Sequence, residues 1–262
     1  MAFASRASNL SSNDGSGWDI FTKNLNTGKV TLASIAQGNG TPANGDSYEP
    51  AMSANGRYVA FTSTASNLVS GDVNGQADIF VKDLTTGKVE MISHAWASDT
   101  GPGYSDHAAI SSDGRYVAFT HFDVKGSDGD VYVVDRVTDV QYLLNTTDSG
   151  DGSNKESKYP DVSVDGGLFA FVSYSTDLVS GDTNKKADIF VATLPDSTDP
   201  DPTPTQIRPP TQIRPTRSSV MRATTVFPVR AVTITFSVSA ATTRYGGGRA
   251  PIRSKAGMAT TA

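Results

Sequence analysis

Short apolar alternations recur along the first 194 residues and then stop. Tyr58-Val59-Ala60-Phe61, Tyr116-Val117-Ala118-Phe119 and Phe169-Ala170-Phe171-Val172 are β-prone runs bounded by turn residues, and the run ending at Phe3 matches them. Asn55-Gly56, Asp113-Gly114 and Asp165-Gly166 precede the last three, and such dipeptides take the positive φ angles of a tight hairpin. A second set of strands follows at Asp78-Ile79-Phe80-Val81 and Asp188-Ile189-Phe190-Val191, with a weaker copy at Asp19-Ile20-Phe21 and a worn one at Asp130-Val131-Tyr132-Val133. Thr86-Gly87-Lys88 then turns the chain into Val89-Glu90-Met91-Ile92, as Thr27-Gly28-Lys29 does into Val30-Thr31-Leu32. No segment sustains a helical apolar period.

The alternations have a long period. Phe3, Phe61, Phe119 and Phe171 are spaced by 58, 58 and 52 residues, and Asp19, Asp78, Asp130 and Asp188 by 59, 52 and 58. One supersecondary unit is therefore used repeatedly, its third copy shortened in the loop between two strands. A full unit holds four strands and three hairpin connections, with its innermost strand near Tyr48-Glu49-Pro50, Tyr104-Ser105-Asp106 and Tyr159-Pro160-Asp161. Tandem four-stranded antiparallel units are the blades of a β-propeller, so the fold class is all-β. This phasing gives three outer strands of a first blade, two whole blades and three strands of a fourth. The ring is incomplete, with Met1 directly before a core strand as though upstream sequence were missing. Open sheet edges of that kind predict self-association.

The strings Ser111-Ser112-Asp113-Gly114-Arg115-Tyr116-Val117-Ala118-Phe119 and Asp78-Ile79-Phe80-Val81-Lys82-Asp83, with the Thr-Gly turns, resemble the TolB-type propeller repeat, whose architecture is related to that of WD-repeat propellers. The resemblance covers residues 2 to 194 and is poorest over 123–139. It implies a non-catalytic binding or scaffold domain, of the kind found in periplasmic and secreted bacterial proteins.

Composition changes this picture mainly at the C-terminal end. The 262 residues include no cysteine, so neither a disulfide framework nor a thiolate metal site is available. No apolar run approaches a membrane span, and residues 1–12 do not form a secretory signal peptide. The net charge of −5 is split: residues 1–205 carry 13 basic and 27 acidic side chains, or −14, and residues 206–262 carry eight Arg and one Lys, or +9. Residues 195–205 form a Pro/Thr/Asp linker, which divides the chain into a partial propeller (1–194), the linker, and a basic tail (206–262) expected to be disordered. A basic tail often suggests nucleic acid or a membrane surface. A shifted reading frame accounts for it better, and no nucleic-acid partner is expected. With each codon displaced by one base, Val and Ala can become Gly, and Thr and Ile can become Asn or Asp. Aspartates then fall under Ile234, Thr243, Ile252 and Thr261, nine residues apart each time. That period is similar to the calcium-binding nonapeptide of RTX (hemolysin-type) proteins. The expected parent is an extracellular or cell-surface protein, with the periplasm as the other compartment.

Candidate chemistry is sparse. The D-x-N-x-x-x-D loops, Asp72/Asn74/Asp78 and Asp182/Asn184/Asp188, place alternate oxygen side chains on tight loops, as Ca²⁺ requires. The same residues also serve Asx-turns and strand entry. His94, His107 and His121 are not repeated between units and read as ordinary surface or loop histidines. There is no G-x-S-x-G elbow, Gly246-Gly247-Gly248-Arg249 lacks the context of a phosphate loop, and no carboxylate pair is singled out as acid and base. No catalytic residue is assigned. Trp18 and Trp96 could stack on sugars. The expected function is binding of a protein or carbohydrate ligand by a calcium-associated module. The alternative is a glycosidase or lyase with its site in the propeller channel, and the inner-strand set Tyr48-Glu49, Asp106-His107 and Asp161 discriminates between them.

Overall fold

The computed structural model describes residues 1–194 except 13, 15–16, 39, 94–102, 124–126 and 148. The linker, the basic tail, His94 and Trp96 therefore lie outside the described residues, together with the expectations attached to them. Among the described residues four antiparallel sheets follow one another, and no helix occurs. The first contains β1 (Ala2–Ser5), β2 (Asp19–Lys23) and β3 (Val30–Leu32). The second contains β4 (Ser47–Met52), β5 (Tyr58–Ser63), β6 (Asp78–Asp83) and β7 (Val89–Met91). The third contains β8 (Tyr104–Ile110), β9 (Tyr116–Phe122), β10 (Asp130–Asp135) and β11 (Val140–Leu143), and the fourth β12 (Ser157–Val162), β13 (Phe169–Ser173) and β14 (Asp188–Ala192). Strand order within each sheet is sequential, the order the repeat predicts, and three, four, four and three strands make an open propeller. The shortened loop of the third unit is residues 123–129, against 64–77 and 174–187 in its neighbours.

The hydrophobic core lies between sheets rather than within one. Ile20, Phe61, Leu68 and Phe80 close the first sheet onto the second. Ile79, Val81, Val117 and Phe119 close the second onto the third, and Val131, Val133, Phe169 and Phe190 close the third onto the fourth. Each sheet alone would expose an apolar face, so stacking neighbours is what removes that surface from water.

Polar side chains fix each turn and each register. Ser53 Oγ donates to Asn55 Oδ1 at 2.7 Å and accepts from the Tyr58 N–H at 3.0 Å. Ser111 repeats this with Asp113 and Tyr116 (2.7 and 2.9 Å), and Ser163 with Asp165 and Leu168 (2.6 and 2.9 Å). Across the middle strands, Arg57 pairs with Asp83 at 2.8 Å and Arg115 with Asp135 at 2.7 Å. The recurrent aspartate at the start of the third strand of a unit clasps the outer strand. Asp19 accepts from Ser34 Oγ at 2.8 Å, Asp78 from Ser93 Oγ at 2.6 Å and Asp130 from Asn145 Nδ2 at 2.5 Å. No described helix is long and apolar enough to cross a membrane.

Candidate functional site

The inner strands β4, β8 and β12 share a defect. Pairing with the next strand slips between Tyr48 and Ala51, between Asp106 and Ala109, and between Lys158 and Asp161. At each slip one non-glycine residue takes a left-handed backbone: Glu49 at φ 54°, His107 at 55° and Tyr159 at 56°. Such a conformation costs on the order of 1 kcal/mol for a residue with a side chain. A bulge re-aims the side chain it carries, and here three consecutive inner strands re-aim theirs toward one another.

The His107 ring joins them. Its Nε2 lies 3.2 Å from Glu49 Oε1 and its Nδ1 2.6 Å from Asp106 Oδ1, while its backbone N–H donates to Glu49 Oε2 at 3.0 Å. The Tyr159 ring meets the imidazole edge-on with centroids 4.4 Å apart. The Tyr159 N–H donates to Thr120 Oγ1 at 3.3 Å, so the left-handed N–H of each of these two strands is satisfied by the preceding sheet. Lys158 sits over the Tyr159 ring at 5.2 Å and pairs with Glu156 at 2.7 Å. The Glu49, His107 and Asp106 side chains are 38%, 33% and 16% exposed, so the cluster reaches solvent.

Burial works against a charge on His107. The Asp106 hydrogen bond and the Asp106 and Glu49 charges outweigh it, with Lys158 opposing them weakly, and the imidazole is raised above its ordinary value of 6.5. A raised histidine adds stability that is fully present below its unfolded value and is lost as pH rises through the folded one. An NMR titration of the His107 ring should give a midpoint above 6.5, which Glu49→Gln and Asp106→Asn each lower. A midpoint unmoved by both would mean that the carboxylates do not hold the ring. The surrounding field is acidic elsewhere too. Tyr48 is raised by burial and then by Glu49, Asp106 and Asp46, and Tyr104 by burial and then by Asp106 and Glu156.

Of the inner-strand set expected to discriminate, Glu49, Asp106 and His107 come together, whereas Asp161 instead accepts from the N–H of Val162 at 2.8 Å. Tyr159 was expected only to mark a strand. Its place opposite His107 follows from aligning Ser47, Ser105 and Ser157, which puts Glu49, His107 and Tyr159 at one repeat position. Two histidine expectations are corrected. His107 belongs to a strand cluster, and His121 is a buried residue of β9 whose Nδ1 meets Ser105 Oγ at 3.0 Å. His121 stands where the neighbouring sheets have Ser63 and Ser173, each paired to an inner-strand serine at 2.9 and 2.8 Å. Trp18 is 42% exposed, with its N–H on Asp46 at 2.9 Å.

The D-x-N-x-x-x-D loops mix turn chemistry with unsatisfied charge. Asn74 Oδ1 accepts from the Gln76 N–H at 2.9 Å and Asn184 Oδ1 from the Lys186 N–H at 2.6 Å, as Asx-turns do. Asn184 Nδ2 also donates to Asp188 Oδ2 at 2.8 Å. Asp72 is 6% exposed, yet neither of its carboxylate oxygens has a hydrogen-bond partner. Burial and then the Asp78 charge push its carboxyl up to about 6. Burial also raises Asp78, against Ser93 and Asn74, although Asn74 closes no hydrogen bond of ordinary geometry onto Asp78 Oδ2. Asp182 is 8% exposed; its Oδ1 accepts from the Asn184 N–H at 3.3 Å and its Oδ2 has no partner. Among the described residues no three His, Cys, Asp or Glu side chains gather in metal-binding reach.

A broad groove of about 1090 Å³ opens elsewhere, over the outer strand β7, and shares no residue with the His107 cluster. Within its lining Glu90 is held by Arg136 and by Lys88 at 2.7 Å each.

No family model and no curated protein sequence matches the chain. Among solved structures, it is similar to TolB from Acinetobacter baumannii at 18% identity and TM-score 0.43, over 74% of this chain and 37% of that one. It is similar to a putative TolB from Agrobacterium tumefaciens at 19% identity and TM-score 0.45, over 74% of this chain and 56% of that one. The β-propeller domain of the Trilobed protease from Pyrococcus furiosus follows at 15% identity and TM-score 0.39, over 58% of this chain and 41% of that one. The chain thus matches between 37% and 56% of the length of these three proteins.

Proposed function

We propose that this chain is a non-catalytic β-propeller module that recognises an extended protein segment bearing a cationic side chain, in an extracellular, cell-surface or periplasmic setting. One observation carries the reading: Glu49 and Asp106 flank the same imidazole, one on each ring nitrogen. With Asp106 bound to Nδ1 and the Glu49 carboxylate 3.2 Å from Nε2, the protonated imidazolium is favoured, and an imidazolium has no lone pair to act as a general base. The two carboxylates are tied to that ring rather than set apart as the acid and base of a glycosidase. What the cluster offers is a partly exposed acidic and aromatic surface on three adjacent strands, where a Lys or Arg can make charge-assisted contacts and take the place of Lys158 over the Tyr159 ring. The −14 charge of residues 1–205 would steer such a partner inward. The nine-residue period hidden in the tail supports a parent protein that works outside the cytoplasm.

Fluorescence anisotropy tests this on the full chain, with labelled extended peptides that differ only in Arg, Ala or Glu at one position and with neutral oligosaccharides as the second probe. The Arg peptide should bind most tightly, weaken with salt, and lose about tenfold in affinity on Glu49→Gln or Tyr159→Ala, in line with about 1–2 kcal/mol for a charge-assisted or cation–π contact. Equal binding of all three peptides, or binding unaffected by both substitutions, would remove the reading. Preferential oligosaccharide binding lost on Tyr159→Ala would replace the protein ligand with a carbohydrate.

A further inference from the structure

The loop between β5 and β6 holds a chemical problem that the chain alone does not solve. Asp72 is buried to 6% exposure with both carboxylate oxygens unpartnered, and the Asp78 charge acts on it from the same loop. Buried carboxylates are ordinarily paired, hydrogen-bonded or bound to a cation. Local donors can meet the need at the equivalent position of the first sheet. Leu10 and Asp14 have the same four-residue spacing as Leu68 and Asp72, and there the N–H groups of Leu10 and Ser11 donate to Asp14 Oδ2 at 3.2 and 3.3 Å. In the second loop no such donor reaches either oxygen of Asp72.

We propose that Asp72, Asn74 and Asp78 form a Ca²⁺ site that ties the β5–β6 loop to the outer edge of the second sheet. Asp72 supplies two free oxygens. Asn74 Oδ1 is used by the Gln76 N–H but retains a second lone pair. Asp78 Oδ1 is bound to Ser93 Oγ, which connects the site to the chain just after β7, and Oδ2 remains. Two carboxylates and an amide oxygen, without His or Cys, suit a hard cation that completes its shell with backbone carbonyls and water. The fourth sheet carries the same D-x-N-x-x-x-D pattern but is the weaker site. Lys185 and Lys186 replace Gly75 and Gln76 there, Asp182 Oδ1 is spent on the Asn184 N–H, and Asp188 Oδ2 on Asn184 Nδ2.

The test is thermal unfolding of the full chain in chelator, in 10 mM Ca²⁺ and in 10 mM Mg²⁺, with the wild type, Asp72→Asn and Asp182→Asn. For a dissociation constant of about 0.1 mM, Ca²⁺ should raise the wild-type Tm by on the order of 5 °C, and Mg²⁺ by much less. Asp72→Asn should abolish that rise while raising the Tm in chelator, because the isosteric amide removes an uncompensated buried charge. Asp182→Asn should leave the rise largely intact. A merely structural Asp72 would lower the chelator Tm on substitution and leave any Ca²⁺ response in place. No Ca²⁺ shift in the wild type, or a shift that survives Asp72→Asn, would overturn the proposal.

Discussion

Phe119→Ala should cost about 3–5 kcal/mol, the range for removing a buried aromatic ring from a close-packed interior. Phe119 is fully buried on β9, between the second and third sheets, among Ala60, Ile79, Val81, Val117 and Val134, with its ring stacked on Tyr132 at 6.2 Å. Both neighbours of the cavity belong to sheets held by their own ladders, so neither can collapse into it without slipping register. Set against a typical stability of about 5–15 kcal/mol, the loss would remove between about a fifth and all of it. Phe3→Ala is the internal comparison. Phe3 holds the same repeat position and stacks on Phe21 at 5.7 Å, but it is only half-buried. Its removal should cost about half as much, since less surface leaves water and less cavity is created. Urea unfolding followed by far-ultraviolet circular dichroism measures both. Equal costs for the two variants would mean that the second and third sheets do not enclose Phe119.

Gly114→Ala should destabilise by about 2–5 kcal/mol, whereas Gly56→Ala, at the same point of the equivalent turn, should cost about 1–2. The two glycines share a left-handed φ, +80° and +70°, so both substitutions incur the same backbone penalty. Only the surroundings differ. A Cβ on Gly56 would enter open space, whereas one on Gly114 would lie 2.2 Å from Cδ2 of Tyr58, in the preceding sheet. Tyr58 cannot readily step aside, because Arg136 lies over its ring at 4.6 Å and donates to the Gly114 carbonyl. The difference between the variants thus isolates how tightly one sheet seats on the next. Gly166→Ala should behave like Gly114→Ala, because its Cβ would meet Cδ2 of Tyr116 at 2.6 Å. Unfolding free energies that were the same for Gly56→Ala and Gly114→Ala would exclude this seating.

The architecture was legible because it is written in features that act locally and repeat. Asp113-Gly114 announces a hairpin by its permitted φ, Ile79-Phe80-Val81 announces a strand, and the period of the two together announces tandem sheets. The candidate site was legible only in part. Glu49, Asp106 and His107 could be gathered as inner-strand residues, but nothing in their side chains signals that Glu49, His107 and Tyr159 adopt positive φ, since the bulge lies in the register of the inner strand against the next strand of its own sheet. His121 reads as a surface or loop histidine in the sequence because the other units do not repeat it. Its burial follows from its register opposite Ser105, which becomes evident only once β8 and β9 are paired. From the sequence the recurrent aspartates suggest strand entries or metal ligands. Their clasp on Ser34, Ser93 and Asn145 joins residues about fifteen positions apart, a separation that no local pattern marks.

The three left-handed bulges also bear on how such a module could change over evolutionary time. Glycine at Glu49, His107 or Tyr159 would relieve about 1 kcal/mol of backbone strain. It would also forfeit about 0.4–1 kcal/mol by enlarging the freedom of the unfolded chain. The two effects nearly cancel, so the backbone at these positions is almost indifferent between glycine and the residue that stands there. Their side chains point out of the sheet and take no part in the three cores between sheets. On the proposed function, the residues that would meet a ligand thus lie outside the cores, and a change there would disturb the contacts of Glu49 with His107 between inner strands but not the packing between sheets.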